Sequence, residues 1–281
     1  MKAGRHITSN FRKDKRAITP AISTVILTSA VIVMILVTVT FANNYLSQRI
    51  AQNEFSAMQQ FMQTIGLQLD DVAWTIGRTQ TVRYASTYGQ VNFESPALNY
   101  TIYVNNVAVA NFSTGVLFFN MPTSRYNIGN GYTTRVFPTT PSFLQQGTSA
   151  PVDQVFIIEI VPMKDGNYIR IVVAPSIRML NSTITSGGTT QNYYNFYLPI
   201  LNLGSAPRLS QTVTLESIAS NALTEGSVTA VKVTVDFPSA GLGFDNSFFN
   251  FAHLEEDVSV PSGSILQFYT GNVKLSLGAQ G

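Results

Sequence analysis

A long run of apolar, uncharged residues follows a short charged segment at the start of the chain. Residues 22–41 read ISTVILTSAVIVMILVTVTF, and no Asp, Glu, Lys or Arg occurs from Ala17 through Gln48. At about 1.5 Å per residue, a helix of this length spans about 30 Å, which is the hydrocarbon thickness of a bilayer. The pattern therefore predicts a membrane span at about 22–41.

Two alternatives for this run are a buried core helix and a cleaved secretory signal. Buried helices are usually shorter, and charged residues usually flank them on both sides. The apolar region of a secretory signal has only about 7–15 residues and ends at a small-x-small site. This run is longer, and a helical pattern continues beyond it, so both alternatives are disfavoured.

The charges on the two sides of the span predict its orientation. Six Lys and Arg residues precede it, whereas the first charge on its far side is Arg49. By the positive-inside rule, residues 1–17 lie in the cytoplasm and the remainder lies outside. We expect Pro20 to start the helix, with Thr19 as its N-cap.

Beyond the apolar run, hydrophobic residues recur at helical spacing, separated by three or four positions: Met58, Phe61, Ile65, Leu69, Val72 and Ile76. This period predicts one helix over about 18–77, hydrophobic in its first half and amphipathic in its second, which ends near Gly77. Two separate helices, one in the membrane and one packed on the outer domain, are the alternative. Gly66 is a weak point in either helix.

Residues 86–281 show the patterns of β-strands. The clearest hairpin joins 155–161 to 168–173 through Lys164-Asp165-Gly166-Asn167, where Asp-Gly favours a tight turn. Other segments rich in β-branched and aromatic residues lie at 99–112, 114–121, 192–198, 213–215, 228–237 and 265–277. The run NSTITSGGTTQN at 181–192 is the best linker or long loop. The predicted fold class is α+β, a long N-terminal helix followed by an antiparallel β-sandwich domain.

The chain contains too few charged residues to depend on charge for its solubility. Hydrophobic residues make up 45% of the 281 residues and charged residues only 11%, whereas about a quarter of a soluble globular chain is charged. A membrane, an assembly or neutral polar residues must replace the missing charge. The basic excess is confined to residues before Ala17, so we do not expect a nucleic-acid partner.

The candidate chemistry is sparse. The chain has no Cys, and residues 1–17 contain His6, so His253 is the single histidine of the outer part. One imidazole without Cys cannot form the usual zinc site, and no Gly-x-Ser-x-Gly motif is present. Glu255-Glu256-Asp257 is either a solvated acidic turn or a calcium ligand set. We expect no cofactor, no metal and no enzymatic activity.

The boundary between charged and apolar residues carries a more specific signal. Lys15-Arg16-Ala17 followed by ITPAISTVIL resembles the class III (prepilin-type) signal peptide of archaeal type IV pilins and archaellins. In that family a prepilin peptidase cuts the basic leader at the cytoplasmic face, after a Gly or Ala that follows Lys or Arg. The resemblance implies a cut after Ala17, which leaves Ile18 as the mature N-terminus. Ile22 stands where bacterial type IV pilins carry Glu, which favours the archaeal branch.

The resemblance also implies a function. The processed helix leaves the bilayer and packs with copies of itself, or with other pilins, into a filament core that the outer domain coats. The alternative is a single-pass membrane-anchored protein whose extracellular β domain serves surface adhesion or binding, without cleavage or assembly. An enzyme is the third and weakest hypothesis.

Three Asn-x-Ser/Thr sequons begin at Asn99, Asn111 and Asn181. Because the predicted topology places all three outside the cell, each is a possible N-glycosylation site.

Overall fold

The computed structural model describes residues 15–206 and 210–278, with side chains from Ile22 onward. The described residues up to Arg49 form one unit, and the described residues from Ile50 form a second. The second unit contains all of the β structure.

The first element is a single long helix, α1, which extends over Lys15–Ala73. The predicted start is wrong, because α1 begins at Lys15 and Thr19 and Pro20 lie inside it rather than at its cap. Gly77, just beyond the helix, has a φ of +81°, a conformation that glycine adopts without steric cost.

Eleven strands follow α1 in the described part of the chain. They are β1 (Thr79–Arg83), β2 (Gln90–Val104), β3 (Val107–Pro122), β4 (Tyr132–Phe137), β5 (Leu144–Gln146), β6 (Asp153–Glu159), β7 (Tyr168–Pro175), β8 (Ile177–Ser186), β9 (Thr189–Leu203), β10 (Thr212–Asp236) and β11 (Glu255–Leu277). A 3₁₀ turn (Ala240–Leu242) and a short helix α2 (Asn246–Phe249) connect β10 to β11.

All eleven strands belong to one sheet, in the order β4-β6-β7-β3-β2-β10-β11-β9-β8-β5, with β1 added to the first residues of β10. Most neighbours are antiparallel, but β9 and β11 are parallel, and so are β5 and β8. The prediction of an antiparallel β-sandwich is therefore confirmed only in part: the domain is β-rich, but its sheet is mixed.

At β3, β6 and β7 both faces of the sheet are buried, which explains the continuous apolar runs in these strands. On β3, Leu117 and Phe119 belong to a core that includes residues 51–73 of α1. Their neighbours Val116 and Phe118 point into a second core, which is rich in Phe and includes α2. Alternate side chains of this strand therefore pack into two cores on opposite faces of the sheet, as the two-residue period of a strand requires.

The predicted hairpin around Asp165-Gly166 is present. Strands β6 and β7 pair antiparallel, from Asp153 with Pro175 to Glu159 with Ile169. Gly166 has a φ of +124°, so the turn uses the glycine that the sequence indicated.

The segment 99–112, predicted as one strand, is instead a hairpin. Strand β2 ends at Val104 and β3 begins at Val107, and the connecting Asn105 and Asn106 have φ of 48° and 67°. Asn tolerates positive φ better than most residues, so this pair can form a tight two-residue turn.

The segment 181–192, predicted as a linker, is also a hairpin. Strands β8 and β9 pair from Arg178 with Tyr197 to Ser186 with Thr189, and Gly187-Gly188 forms the turn. Both glycines have positive φ. The exposed Thr and Ser residues gave the segment the composition of a loop, although Thr is favoured in strands.

Candidate assembly segment

The first half of α1 presents apolar side chains to solvent on all sides. Every residue from Ile22 through Leu46 is exposed, and Leu27, Met34 and Phe41 are 66%, 68% and 72% exposed. A soluble monomer rarely exposes an apolar surface of this extent. The helix is long and apolar enough to cross a membrane. We refer to residues 22–46 as the apolar segment.

Three threonine hydroxyl groups in the apolar segment donate hydrogen bonds within the helix. Thr28 Oγ1 donates to the carbonyl oxygen of Thr24 at 2.9 Å, Thr38 Oγ1 to that of Met34 at 2.7 Å, and Thr40 Oγ1 to that of Leu36 at 2.8 Å. A polar group enters an apolar environment at low cost only if it is hydrogen-bonded. These Thr residues are therefore compatible with lipid or with a dry protein interface.

The apolar segment ends at residues suited to a membrane surface. Arg49 Nε donates to the Tyr45 hydroxyl at 3.0 Å, and the guanidinium lies 5.3 Å from the centre of the Tyr45 ring. Tyr and basic side chains are common at the boundary between hydrocarbon and water.

From Ile50 onward the helix is amphipathic and packs on the sheet. Its buried residues lie on one face, mostly three or four positions apart: Ala51, Phe55, Met58, Phe61, Met62, Ile65, Leu69, Val72 and Ala73. Five of the six residues predicted for this face are buried, but Ile76 lies beyond the helix and is 65% exposed. Phe55, which the sequence analysis missed, lies three positions before Met58 and fits the same period.

A carboxylate on the amphipathic half holds a turn of the β domain. Glu54 Oε1 accepts from Ser86 Oγ at 2.5 Å and from Tyr88 N at 3.0 Å, while Oε2 accepts from Thr87 N at 2.9 Å. Burial raises the pKa of Glu54, but these hydrogen bonds together outweigh burial, and the pKa lies below its usual value.

Two further contacts fix the end of α1. Arg178 Nη1 on β8 donates to Asp70 Oδ2 at 2.9 Å, and Trp74 Nε1 donates to Asp70 Oδ1 at 2.9 Å. A Cβ at Gly271 on β11 would lie 2.4 Å from the carbonyl oxygen of Ala73. Glycine therefore permits a backbone approach here that no other residue allows.

The predicted processing residues lie at the start of the chain. Residues 1–14 of the basic leader lie outside the described residues. Lys15, Arg16, Ala17 and Ile18 begin α1, and their side chains are outside those that the structure describes.

The three sequons lie on strands. Asn99 on β2 and Asn111 on β3 belong to neighbouring strands: Ser113 Oγ donates to Asn99 Oδ1 at 2.9 Å, and Asn111 Nδ2 donates to Thr101 Oγ1 at 3.0 Å. Asn181 on β8 is exposed.

The remaining chemical candidates are dispersed. His253 is exposed, and Glu255-Glu256-Asp257 begins β11 rather than forming a turn. Lys232 pairs with Glu255 and Ser142 Oγ donates to Glu256. Among the described residues, no group of three or more His, Cys, Asp or Glu side chains could hold a metal ion.

Comparison with known proteins gave no match to this chain, whether among protein-family models, curated proteins or solved structures.

Proposed function

We propose that the chain is a structural subunit of an archaeal type IV pilus-like surface filament, processed after Ala17 and assembled through α1. The observation that carries the proposal is the difference between the two halves of one helix. Residues 22–46 expose apolar side chains on every side, whereas residues 51–73 bury one face on the sheet.

A helix that is apolar on every side is stable only when lipid or protein surrounds it and excludes water, and that surrounding layer is its cover. Lipid provides that cover before assembly, with the N-terminus in the cytoplasm and the β domain outside. In a filament, the helices of other copies provide it. The role is structural rather than catalytic, and the self-satisfied Thr hydroxyls fit both environments.

The boundary between charged and apolar residues supports a processing step after Ala17. A cationic leader keeps the N-terminus at the cytoplasmic face while it is attached. Removal after Ala17 leaves Ile18 as the terminus and takes away every basic residue that precedes the apolar segment. The freed helix can then exchange lipid neighbours for protein neighbours.

The N-terminus of protein recovered from cells with an active prepilin peptidase tests this step. We expect mass spectrometry to find a chain that begins at Ile18. Ala17→Leu should block the cut because a larger side chain replaces the small one before it, and Ala3→Leu, elsewhere in the leader, should not. A chain that begins at Met1 would contradict processing.

Electron microscopy of sheared surface material tests assembly. Filaments that contain the processed chain are the expected result. Uncut protein that remains monomeric in the membrane would instead identify the alternative, a single-pass anchored β domain for adhesion or binding.

A further inference from the structure

A buried carboxyl group without a partner lies where α1 meets the sheet. Asp153, the first residue of β6, is 1% exposed, and its Oδ2 has no hydrogen-bond partner among the described residues. A Cβ added at Gly66 of α1 would lie 2.3 Å from that oxygen. The glycine near the C-terminal end of the helix thus leaves room for the carboxyl group of Asp153.

The surroundings of Asp153 offer it no compensating charge. Asp70, one turn beyond Gly66 on α1, is the titratable group whose charge acts on Asp153, and it carries the same charge. Arg178 on β8 is the nearby cation, but its guanidinium is paired with Asp70. Phe137 on β4 and Pro175 on β7, which also adjoin the site, are uncharged.

These surroundings favour the neutral form of the carboxyl group. Burial, and then the charge of Asp70, raise the pKa of Asp153 to about 8. A protonated carboxyl group avoids the cost of an unpaired buried charge and of repulsion from Asp70. Gly66 can then approach β6 closely.

We propose that Asp153 is a proton-dependent latch: its neutral form permits the close packing of the amphipathic half of α1 against the sheet, and its ionisation weakens that contact. The latch lies within the unit that begins at Ile50, and it does not depend on the filament function. In the unfolded chain the same group ionises near the ordinary aspartate value, about 3.9.

The direction of the pH dependence follows from these two values. Below the unfolded pKa, Asp153 is neutral in both states and the full stability is present. As pH rises, the unfolded chain releases its proton first, so the folded state loses stability until the pH passes the folded pKa of about 8. The latch therefore makes the domain more stable in acid than at mildly alkaline pH.

Thermal unfolding of the full chain in detergent micelles, followed by circular dichroism between about pH 5 and about pH 8.5, tests the proposal. We expect the melting temperature of the unmodified chain to fall by about 10 °C across this range. Asp153→Asn, which cannot ionise, should remove most of this fall and should melt higher than the unmodified chain at the alkaline end.

Asp257→Asn is the matched control, because Asp257 is an exposed aspartate on β11. It should keep the pH dependence of the unmodified chain. An Asp153→Asn protein with an unchanged slope, or an unmodified chain whose melting temperature does not fall, would overturn the proposal.

Infrared spectroscopy of the unmodified chain provides a second measurement if Asp153→Asn fails to fold. At about pH 6.5, ordinary carboxylic acids are ionised, so a protonated carboxyl band that disappears by about pH 9 is the expected result. The absence of that band at about pH 6.5 would show that Asp153 is ionised there and would overturn the latch.

Discussion

The carboxylate of Glu54 accepts a hydrogen bond from the hydroxyl of Ser86 at 2.5 Å and so joins α1 to the turn that precedes β2. The backbone N–H groups of Thr87, Tyr88 and Gly89 point at the same carboxylate. One side chain thus satisfies several donors of a turn and fixes the amphipathic half of the helix at a defined register on the sheet.

Glu54→Gln should destabilise the domain by about 1–2 kcal/mol, because a neutral amide accepts these hydrogen bonds more weakly than a carboxylate. Chemical unfolding at neutral pH measures the change. Glu255→Gln removes an exposed ion pair with Lys232 and is expected to have little effect. Equal effects of the two substitutions would contradict a special role for Glu54.

The lowered pKa of Glu54 gives this contribution a pH dependence of its own. A carboxyl group whose pKa is lowered by folding contributes stability above its unfolded pKa and loses it as pH falls through the folded value. The difference between the unmodified chain and Glu54→Gln should therefore shrink in strong acid. The stability contributed by Asp153 is instead lost as the pH rises. Glu54→Gln and Asp153→Asn are therefore distinguishable by the pH dependence of their stability.

Gly271→Ala should destabilise the domain by about 1–3 kcal/mol, because the added methyl group collides with the carbonyl oxygen of Ala73. That oxygen belongs to the backbone and cannot rotate away. Thermal unfolding measures the effect. Gly241→Ala is the control: its Cβ would meet no atom within 4 Å and its φ is not in the left-handed region. A Gly271→Ala protein as stable as Gly241→Ala would contradict the close approach.

Val33→Asp should abolish membrane insertion and filament formation while the β domain keeps its fold. Val33 is 58% exposed in the middle of the apolar segment, and a carboxylate at the centre of a span costs about 2.5–3.5 kcal/mol. Cell fractionation measures membrane insertion and microscopy measures filament formation. Val33→Leu should preserve insertion and filament formation. Membrane-bound filaments of Val33→Asp would show that the segment needs no apolar cover.

In a host that attaches N-linked glycans, we expect Asn181 to be modified before Asn99 or Asn111. Asn181 is exposed and makes no side-chain hydrogen bond within the described residues. The side-chain oxygen of Asn99 accepts from Ser113, and the side-chain nitrogen of Asn111, which is also exposed, donates to Thr101. Mass spectrometry of peptides measures occupancy at each site. Asn181→Gln should lower the total glycan mass, and Asn111→Gln should not. Glycans on Asn99 or Asn111 in the absence of any on Asn181 would contradict the order.

The sequence near a turn predicted some strand boundaries correctly and missed others. The Asp165-Gly166 turn has a strong signal, and its hairpin was predicted. Asn105-Asn106 also carries a signal, since both residues tolerate positive φ, but the apolar residues on either side concealed it. The Gly187-Gly188 turn consists of two glycines that tolerate positive φ, but the Thr and Ser residues around it give the segment the composition of a loop.

The mixed sheet could not have been predicted from these patterns. Strand β9 pairs in parallel with β11, with Tyr193 beside Ile265, although β10 lies between them in sequence. Alternation along a strand indicates which residues share a face, but not which strand becomes its neighbour. Pairing over such separations depends on the packing of the whole domain.

The sequence by itself determined that one long helix has an apolar first half and an amphipathic second half, because charge, apolar run length and a three-to-four spacing are local properties of the chain. Only the tertiary structure placed Asp153 against Gly66 and Ser86 on Glu54. Those contacts join residues far apart in the chain, and burial, which sets the protonation of Asp153, arises only when the helix and the sheet exclude water together.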